Sequence, residues 1–275
     1  MNILFIGDIF GRPGRELVRR GIRPLVEHYA IDIVIANVEN AAGGFGVTRE
    51  IGDAIAGYGV DVMTSGNHIW DKKEALDYIG AEPRLLRPSN YPAGAPGRGS
   101  ILARTDDGRG VGVINLMGRV FMAALDDPFA ASLREVETFA GRTRVIFVDF
   151  HAEATSEKQA MGWHLDGKVS AVIGTHTHVQ TADERILPKG TAYLTDAGMT
   201  GPQDSIIGTD PELALARFTT GLPTKFEPAT GNARLHGAVV SVDEATGRAT
   251  SIARLSCSLD DLLQMGSGSD DSQVE

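Results

Sequence analysis

Short apolar runs rich in β-branched residues recur along this chain, and stretches with helical spacing separate them. That alternation constrains the fold more than any other feature. Strands linked through helices pair in parallel, and a parallel sheet must be covered on both faces. The runs are Ile3–Ile6, Ile31–Val38, Val60–Thr64, Val145–Phe150 and Val169–Ile173, with a shorter one at Thr191–Leu194. After Pro13, residues Leu17, Val18, Ile22, Leu25 and Val26 make an apolar helical stripe. Thr48 is a candidate N-cap for a helix carrying Ile51 and Ile55, and Asp71 for one reaching Tyr78. Further helices are read over 127–140 and 156–165. The centre breaks the rhythm. Arg87–Ser100 is a proline-rich loop, and Ile101–Arg104 with Val111–Leu116 read as a hairpin across Asp107-Gly108. Val239–Val242 and Thr250–Leu255 read as a closing hairpin. The expected fold is a two-sheet α/β sandwich in one domain over residues 1–265, with antiparallel edges. A flexible tail of Gly, Ser and acidic residues is expected over 266–275.

Composition narrows the function. The chain has 275 residues, 26 basic and 36 acidic, for a net charge of −10. Broad binding of nucleic-acid backbone needs a basic stripe, so long nucleic acid is not the expected partner. A small phosphate ester bound at a metal is compatible, because the ion brings its own positive charge. The apolar runs are too short for a membrane span, and an aspartate interrupts the first one without a basic leader, so a cytoplasmic protein is expected. Cys257 is the only cysteine, which excludes an internal disulfide and suits a buried structural thiol. Homo-oligomerisation is left open.

Five of the strands are followed at once by side chains that bind metals: Asp8, then Glu39 and Asn40, then Asn67 and His68, then His151, then His176 and His178. In open α/β sheets the ligand site lies beyond the carboxyl ends of the strands, so parallel pairing gathers all of them at one edge. His28 and His164 lie on helices and read as structural or solvated; His236 stays unassigned. A set of carboxylate, carboxamide and imidazole without thiolate suits iron, manganese or zinc at a catalytic centre. There are more ligands than one ion uses. Two ions about 3.5–4 Å apart, bridged by one carboxylate, would absorb them, activate a water as hydroxide and clamp phosphoryl oxygens. A histidine just outside would protonate the leaving oxygen.

At these residues the sequence resembles the calcineurin-like metallophosphoesterase superfamily, through Gly7-Asp8, Gly66-Asn67-His68, Asp149-Phe150-His151 and Gly174-Thr175-His176-Thr177-His178. More narrowly, Gly7–Gly11, Asn37–Gly44 and Thr195–Gly201 resemble the bacterial YmdB-type subgroup, over about residues 1–257. The resemblance implies a four-layer α/β/β/α sandwich with mixed sheets and a dinuclear centre. It implies that Asp8, Glu39, Asn40 and His178 hold one ion. Glu39 would bridge to a second, held with Asn67, His151 and His176, and His68 would be the general acid. It implies two metal ions, foremost iron, with manganese or zinc as alternatives. The implied activity is hydrolysis of small phosphodiesters, foremost 2′,3′-cyclic nucleotides. A phosphomonoesterase, a nuclease, or a non-catalytic regulator that binds metal or nucleotide are the alternatives. Phe10 stands where the wider superfamily has an imidazole, and Ile69 where an acid commonly follows the general acid, which predicts a less firmly oriented His68. Phe45, in Gly43-Gly44-Phe45-Gly46, is placed to stack on a base, and Asp196–Gly201 and Ser205–Gly208 to line the cleft.

Overall fold

The computed structural model describes residues 1–267. The chain enters through β1 (Asn2–Ile6), α1 (Gly11–Tyr29), β2 (Ile33–Asn37), α2 (Arg49–Gly57), β3 (Val62–Thr64) and α3 (Ala75–Ala81). A second sheet follows, through β4 (Ser100–Arg104), β5 (Gly110–Met117), α4 (Pro128–Thr138), β6 (Ile146–His151), α5 (Thr155–Leu165), β7 (Ala171–Thr175), β8 (Arg185–Ile186) and β9 (Ala192–Leu194). The chain then returns through β10 (Gly201–Pro202), α6 (Pro211–Thr220), β11 (Ala233–Asp243), β12 (Arg248–Ser258) and α7 (Leu259–Ser267). Both sheets are mixed. In the first, β1, β2 and β3 pair in parallel, while β11 joins β1 antiparallel and β12 pairs with β11. In the second the order is β4-β5-β6-β7-β9-β8, parallel from β5 through β9.

The apolar runs are continuous because both faces of these strands are buried. Leu4 and Ile6 of β1 pack with Leu17, Val18, Leu25, Ile55 and Leu262 from the helices. Their neighbours Ile3 and Phe5 face the other way and meet Phe147, Ile173 and Leu194 of the second sheet; the Phe5 and Phe147 rings lie 4.9 Å apart. Val148 and Phe150 turn toward Met161 and Leu165 of α5.

The expected strands and the first hairpin are present, and Thr48 caps α2 by accepting from the Ile51 amide at 3.3 Å. Four readings change. Asp71 caps nothing: α3 begins at Ala75, and the Asp71 carboxylate turns to His68 instead. The closing hairpin is longer than its apolar centre, because its outer residues alternate polar and apolar on a sheet face partly open to solvent. Helix α6 was not expected, although Asp210 caps it through the amides of Glu212 and Leu213 and Pro211 opens it. Helix α7 was also missed. Ser258 and Asp261 cap it reciprocally, each accepting from the other's amide. Its Leu262 fills the notch left by Gly21, where a Cβ would come within 2.7 Å. The stretch expected as a tail therefore begins inside a helix, and residues 268–275 lie outside the described residues. Cys257 is buried, as expected. No helix among the described residues is long and apolar enough to cross a membrane.

Candidate metal centre

Parallel pairing puts the carboxyl ends of β1, β2 and β3 on one edge of the first sheet, and those of β6 and β7 on one edge of the second. Asp8 follows β1, Glu39 and Asn40 follow β2, and Asn67 and His68 follow β3. His151 ends β6, and His176 and His178 follow β7. All eight expected residues meet in one place. His151 Nε2 lies 3.1 Å from Glu39 Oε1, 3.0 Å from Asn67 Oδ1 and 3.0 Å from His176 Nδ1. Asp8 Oδ1 stands 3.9 Å from the same ring, at Nδ1, and its Oδ2 accepts from the His176 amide at 3.1 Å. His178 Nε2 is 3.3 Å from Asn40 Oδ1. The His68 amide donates to Glu39 Oε2 at 3.0 Å.

The surrounding hydrogen bonds turn three imidazole lone pairs toward this cluster. Thr175 donates to Asp149 Oδ1 at 2.7 Å, so its oxygen accepts from His151 Nδ1 at 2.9 Å and leaves Nε2 facing inward. The Ile207 carbonyl takes the proton of His178 Nδ1 at 2.8 Å. Glu153 takes that of His176 Nε2 at 3.1 Å. This is the outer support that a metal-binding histidine requires.

The acceptors then crowd one another. Glu39 Oε1, Asn67 Oδ1 and His176 Nδ1 all face His151 Nε2, and a single proton there cannot serve three acceptors. Asp8 Oδ1 is buried with no hydrogen-bond partner. Burial pushes the Asp8 carboxyl well above its usual range. Burial also opposes charge on Glu39 and His151, but their mutual attraction wins. It holds Glu39 down to about 2 and, with Asp8 and Asp149, holds His151 up to about 9. Acceptor atoms thus face one another around a buried carboxylate oxygen that has no partner, an arrangement a cation would satisfy, and the donor set fits one. Glu39, His151 and His176 alone offer three ligand atoms within 4.8 Å of one another.

Gly66 makes this approach feasible: a Cβ there would lie 2.2 Å from His151 Cδ2. Gly66→Ala is expected to displace the imidazole and lower kcat/KM about a hundredfold, the scale of a misplacement near 1 Å. Steady-state kinetics beside a thermal melt checks this; a fold-competent variant with native kinetics would contradict it.

The cleft over the cluster has a volume of about 190 Å³, and His68, Phe45, Ile207 and Phe226 are among its lining residues. Phe10 stays buried and packs edge-on against His178, with ring centroids 5.6 Å apart. Gly44, at φ 97°, clears it: a Cβ would meet the Phe10 ring at 2.8 Å. Two expectations about the surroundings fail. His68 is not loosely held, because Asp71 binds its Nδ1 at 2.8 Å and does from three residues on what Ile69 cannot. Asp196–Gly201 does not line the cleft; it lies behind it. Asp196 is fully buried and Oδ2 accepts from Lys158 Nζ at 2.6 Å, Thr177 Oγ1 at 2.8 Å and the Thr177 amide at 3.2 Å. Thr177 separates His176 and His178, which hold left-handed φ values of 102° and 65°. Such backbone costs roughly 1–3 kcal/mol per residue and persists only when its surroundings impose it. Lys158 sent no signal in the sequence: it is one charge in an ordinary helix. His28, His164 and His236 stay outside the cluster, as read; His236 Nε2 meets Ser256 Oγ.

Over 255 residues the chain is 51% identical to the 2′,3′-cyclic-nucleotide 2′-phosphodiesterase of Bacillus subtilis, covering 93% of this chain and 96% of that one. A crystal structure of a hypothetical protein from Thermus thermophilus superposes with a TM-score of 0.87 at 44% identity, covering 94% and 99%. A novel phosphatase from Mycoplasma pneumoniae gives 0.86 at 34% identity, covering 94% and 93%. The sequence model of the YmdB-like proteins matches residues 4–255, a span that holds nearly all of both sheets and every side chain gathered at their shared edge, and the chain belongs to that family.

Proposed function

We propose that this protein is a metal-dependent hydrolase of small phosphodiesters, and that 2′,3′-cyclic nucleotides are its substrates. The observation that carries this is the buried cluster in which His151 Nε2 faces Glu39 Oε1, Asn67 Oδ1 and His176 Nδ1 beside the unpartnered Asp8 Oδ1, with His178 Nε2 facing Asn40 alongside. The Bacillus subtilis relative, named for the same chemistry, supports the substrate class. We read the fold as a four-layer sandwich in one domain over residues 1–265, on the strength of the three separate apolar clusters. Asp8, Glu39, Asn40 and His178 would hold one ion, and Glu39, Asn67, His151 and His176 the other, with Glu39 shared. Iron is the first candidate, then manganese and zinc. Bound there, two ions supply positive charge for phosphoryl oxygens and a water made nucleophilic at neutral pH. A buried unpaired thiol at Cys257 fits a cytoplasmic setting.

The protein's own part is orientation and proton delivery. His68 lines the cleft, with its amide on Glu39 and its Nδ1 held by Asp71. That leaves Nε2 to protonate the ribose oxygen that departs from phosphorus. His68→Ala is expected to lower kcat about 10²–10⁴-fold, the usual share of general acid catalysis, with metal content unchanged. Asp71→Asn is expected to lower kcat by a smaller factor. Kinetics on a 2′,3′-cyclic nucleotide with elemental analysis of the same samples tests this; native turnover by His68→Ala would defeat the assignment.

A further inference from the structure

We propose that a second pocket, next to the catalytic cleft, binds the phosphate on the 5′ side of the cyclic nucleotide, so that substrates carrying one are preferred. This rests on the phosphodiesterase reading above. The pocket has a volume of about 520 Å³, and Arg12, Arg15 and Lys72 line it together with Ala42, Gly43 and Thr48. The same glycine-rich turn walls the cleft on its other side, through Gly44 and Phe45. Lys72 belongs to the segment that carries His68 and Asp71, and it lies over Gly46, where a Cβ would come within 2.9 Å of its Cγ.

Charge sets this pocket apart from the other cavities, none of which is lined by more than one Lys or Arg. The chain carries −10 overall, yet three cations meet here and no carboxylate lines the cavity. Among the described residues neither Arg12 nor Lys72 forms an ion pair. Arg15 gives one guanidinium nitrogen to the Ala41 carbonyl, which fixes it at the pocket wall. The acids whose fields reach them are engaged or outside: Glu16 attracts Arg12 but is bonded to Arg19, and Glu50 attracts Arg15 without lining the cavity. Two guanidinium groups and an ammonium in a cavity lined by no carboxylate are the chemistry that takes a phosphate, Arg by paired hydrogen bonds and Lys as a point charge.

Position selects which phosphate. The cyclic ester of a bound nucleotide occupies the metal centre. The apolar side chains Phe45, Ile207 and Phe226 in the cleft suit the base. The 5′ carbon is then the remaining exit from the ribose, and the basic pocket is the cationic neighbour of the cleft across a wall of glycines. In a mononucleotide the group there is a terminal 5′-phosphate. In an RNA fragment ending in a cyclic phosphate it is the last internucleotide linkage.

The test compares three substrates on the metal-loaded enzyme: 2′,3′-cyclic AMP, its 5′-phosphorylated counterpart, and a dinucleotide ending in a 2′,3′-cyclic phosphate. The phosphorylated pair is expected to show kcat/KM about tenfold or more above 2′,3′-cyclic AMP, through KM. The preference should shrink as salt rises from about 0.05 M to about 0.5 M. It should collapse toward one in an Arg12→Gln/Lys72→Gln variant. A gain for the 5′-phosphorylated mononucleotide alone assigns the pocket to terminal phosphates; a gain for both assigns it to RNA ends as well. Equal kcat/KM for all three substrates, or a preference unchanged in the variant, would overturn the inference. No turnover of 2′,3′-cyclic AMP would instead overturn the phosphodiesterase reading itself.

Discussion

Glu39→Ala is expected to abolish metal retention and to lower kcat/KM on a 2′,3′-cyclic nucleotide by about 10³-fold or more, some 4 kcal/mol of transition-state stabilisation. The carboxylate is almost fully buried, one oxygen faces His151 Nε2, and the other accepts from the His68 amide. It thereby links the ring at the end of β6 to the backbone of the loop after β3. Its loss removes the proposed shared ligand and takes from His151 the largest of its buried counter-charges. The folded state should survive, since Glu39 lies at the sheet edge rather than in any of the three apolar clusters. Elemental analysis after dialysis against metal-free buffer, with circular dichroism as the control for folding, reads the effect. A folded variant that still holds about two ions per chain would show that Glu39 is no ligand.

Lys158→Met is expected to cost about 3–5 kcal/mol of stability, because it leaves the Asp196 carboxylate buried without its cation. For a chain of this size that is a fall in Tm of about 10 °C. The same change should weaken metal binding, which ordinary core damage need not do. Asp196 is what ties down Thr177 between two histidines held in left-handed backbone. Removing both charges, as Lys158→Met/Asp196→Asn, is expected to recover part of the lost stability. Thermal unfolding with and without manganese separates the two effects. A single variant that melts within about 2 °C of the parent and binds metal normally would show the pair to be incidental.

How far this was legible in the sequence depends on the physics of each feature. The parallel strands could be read because burial on both faces writes an unbroken apolar run, as at Ile3–Ile6 and Val145–Phe150. The cluster could be read because parallel pairing turns five separate strand ends into one edge. Support for the site could not be read. Asp71 has the sequence of a helix cap, and only the late start of α3 frees its carboxylate for His68. Lys158 is buried by contact with Asp196, 38 residues away, and neither residue carries a local sign of that pairing. Helix α6 shows the reverse case. Asp210 and Pro211 announce its start, but it buries only Ala214 and so has little apolar stripe to read.

Anomalous diffraction from crystals of the manganese-loaded protein tests the central claim most directly. Two peaks about 3.5–4 Å apart are expected, enclosed by Asp8, Glu39, Asn40, Asn67, His151, His176 and His178, with Glu39 touching both. A single peak away from His151, or none in protein that turns over a 2′,3′-cyclic nucleotide, would contradict it.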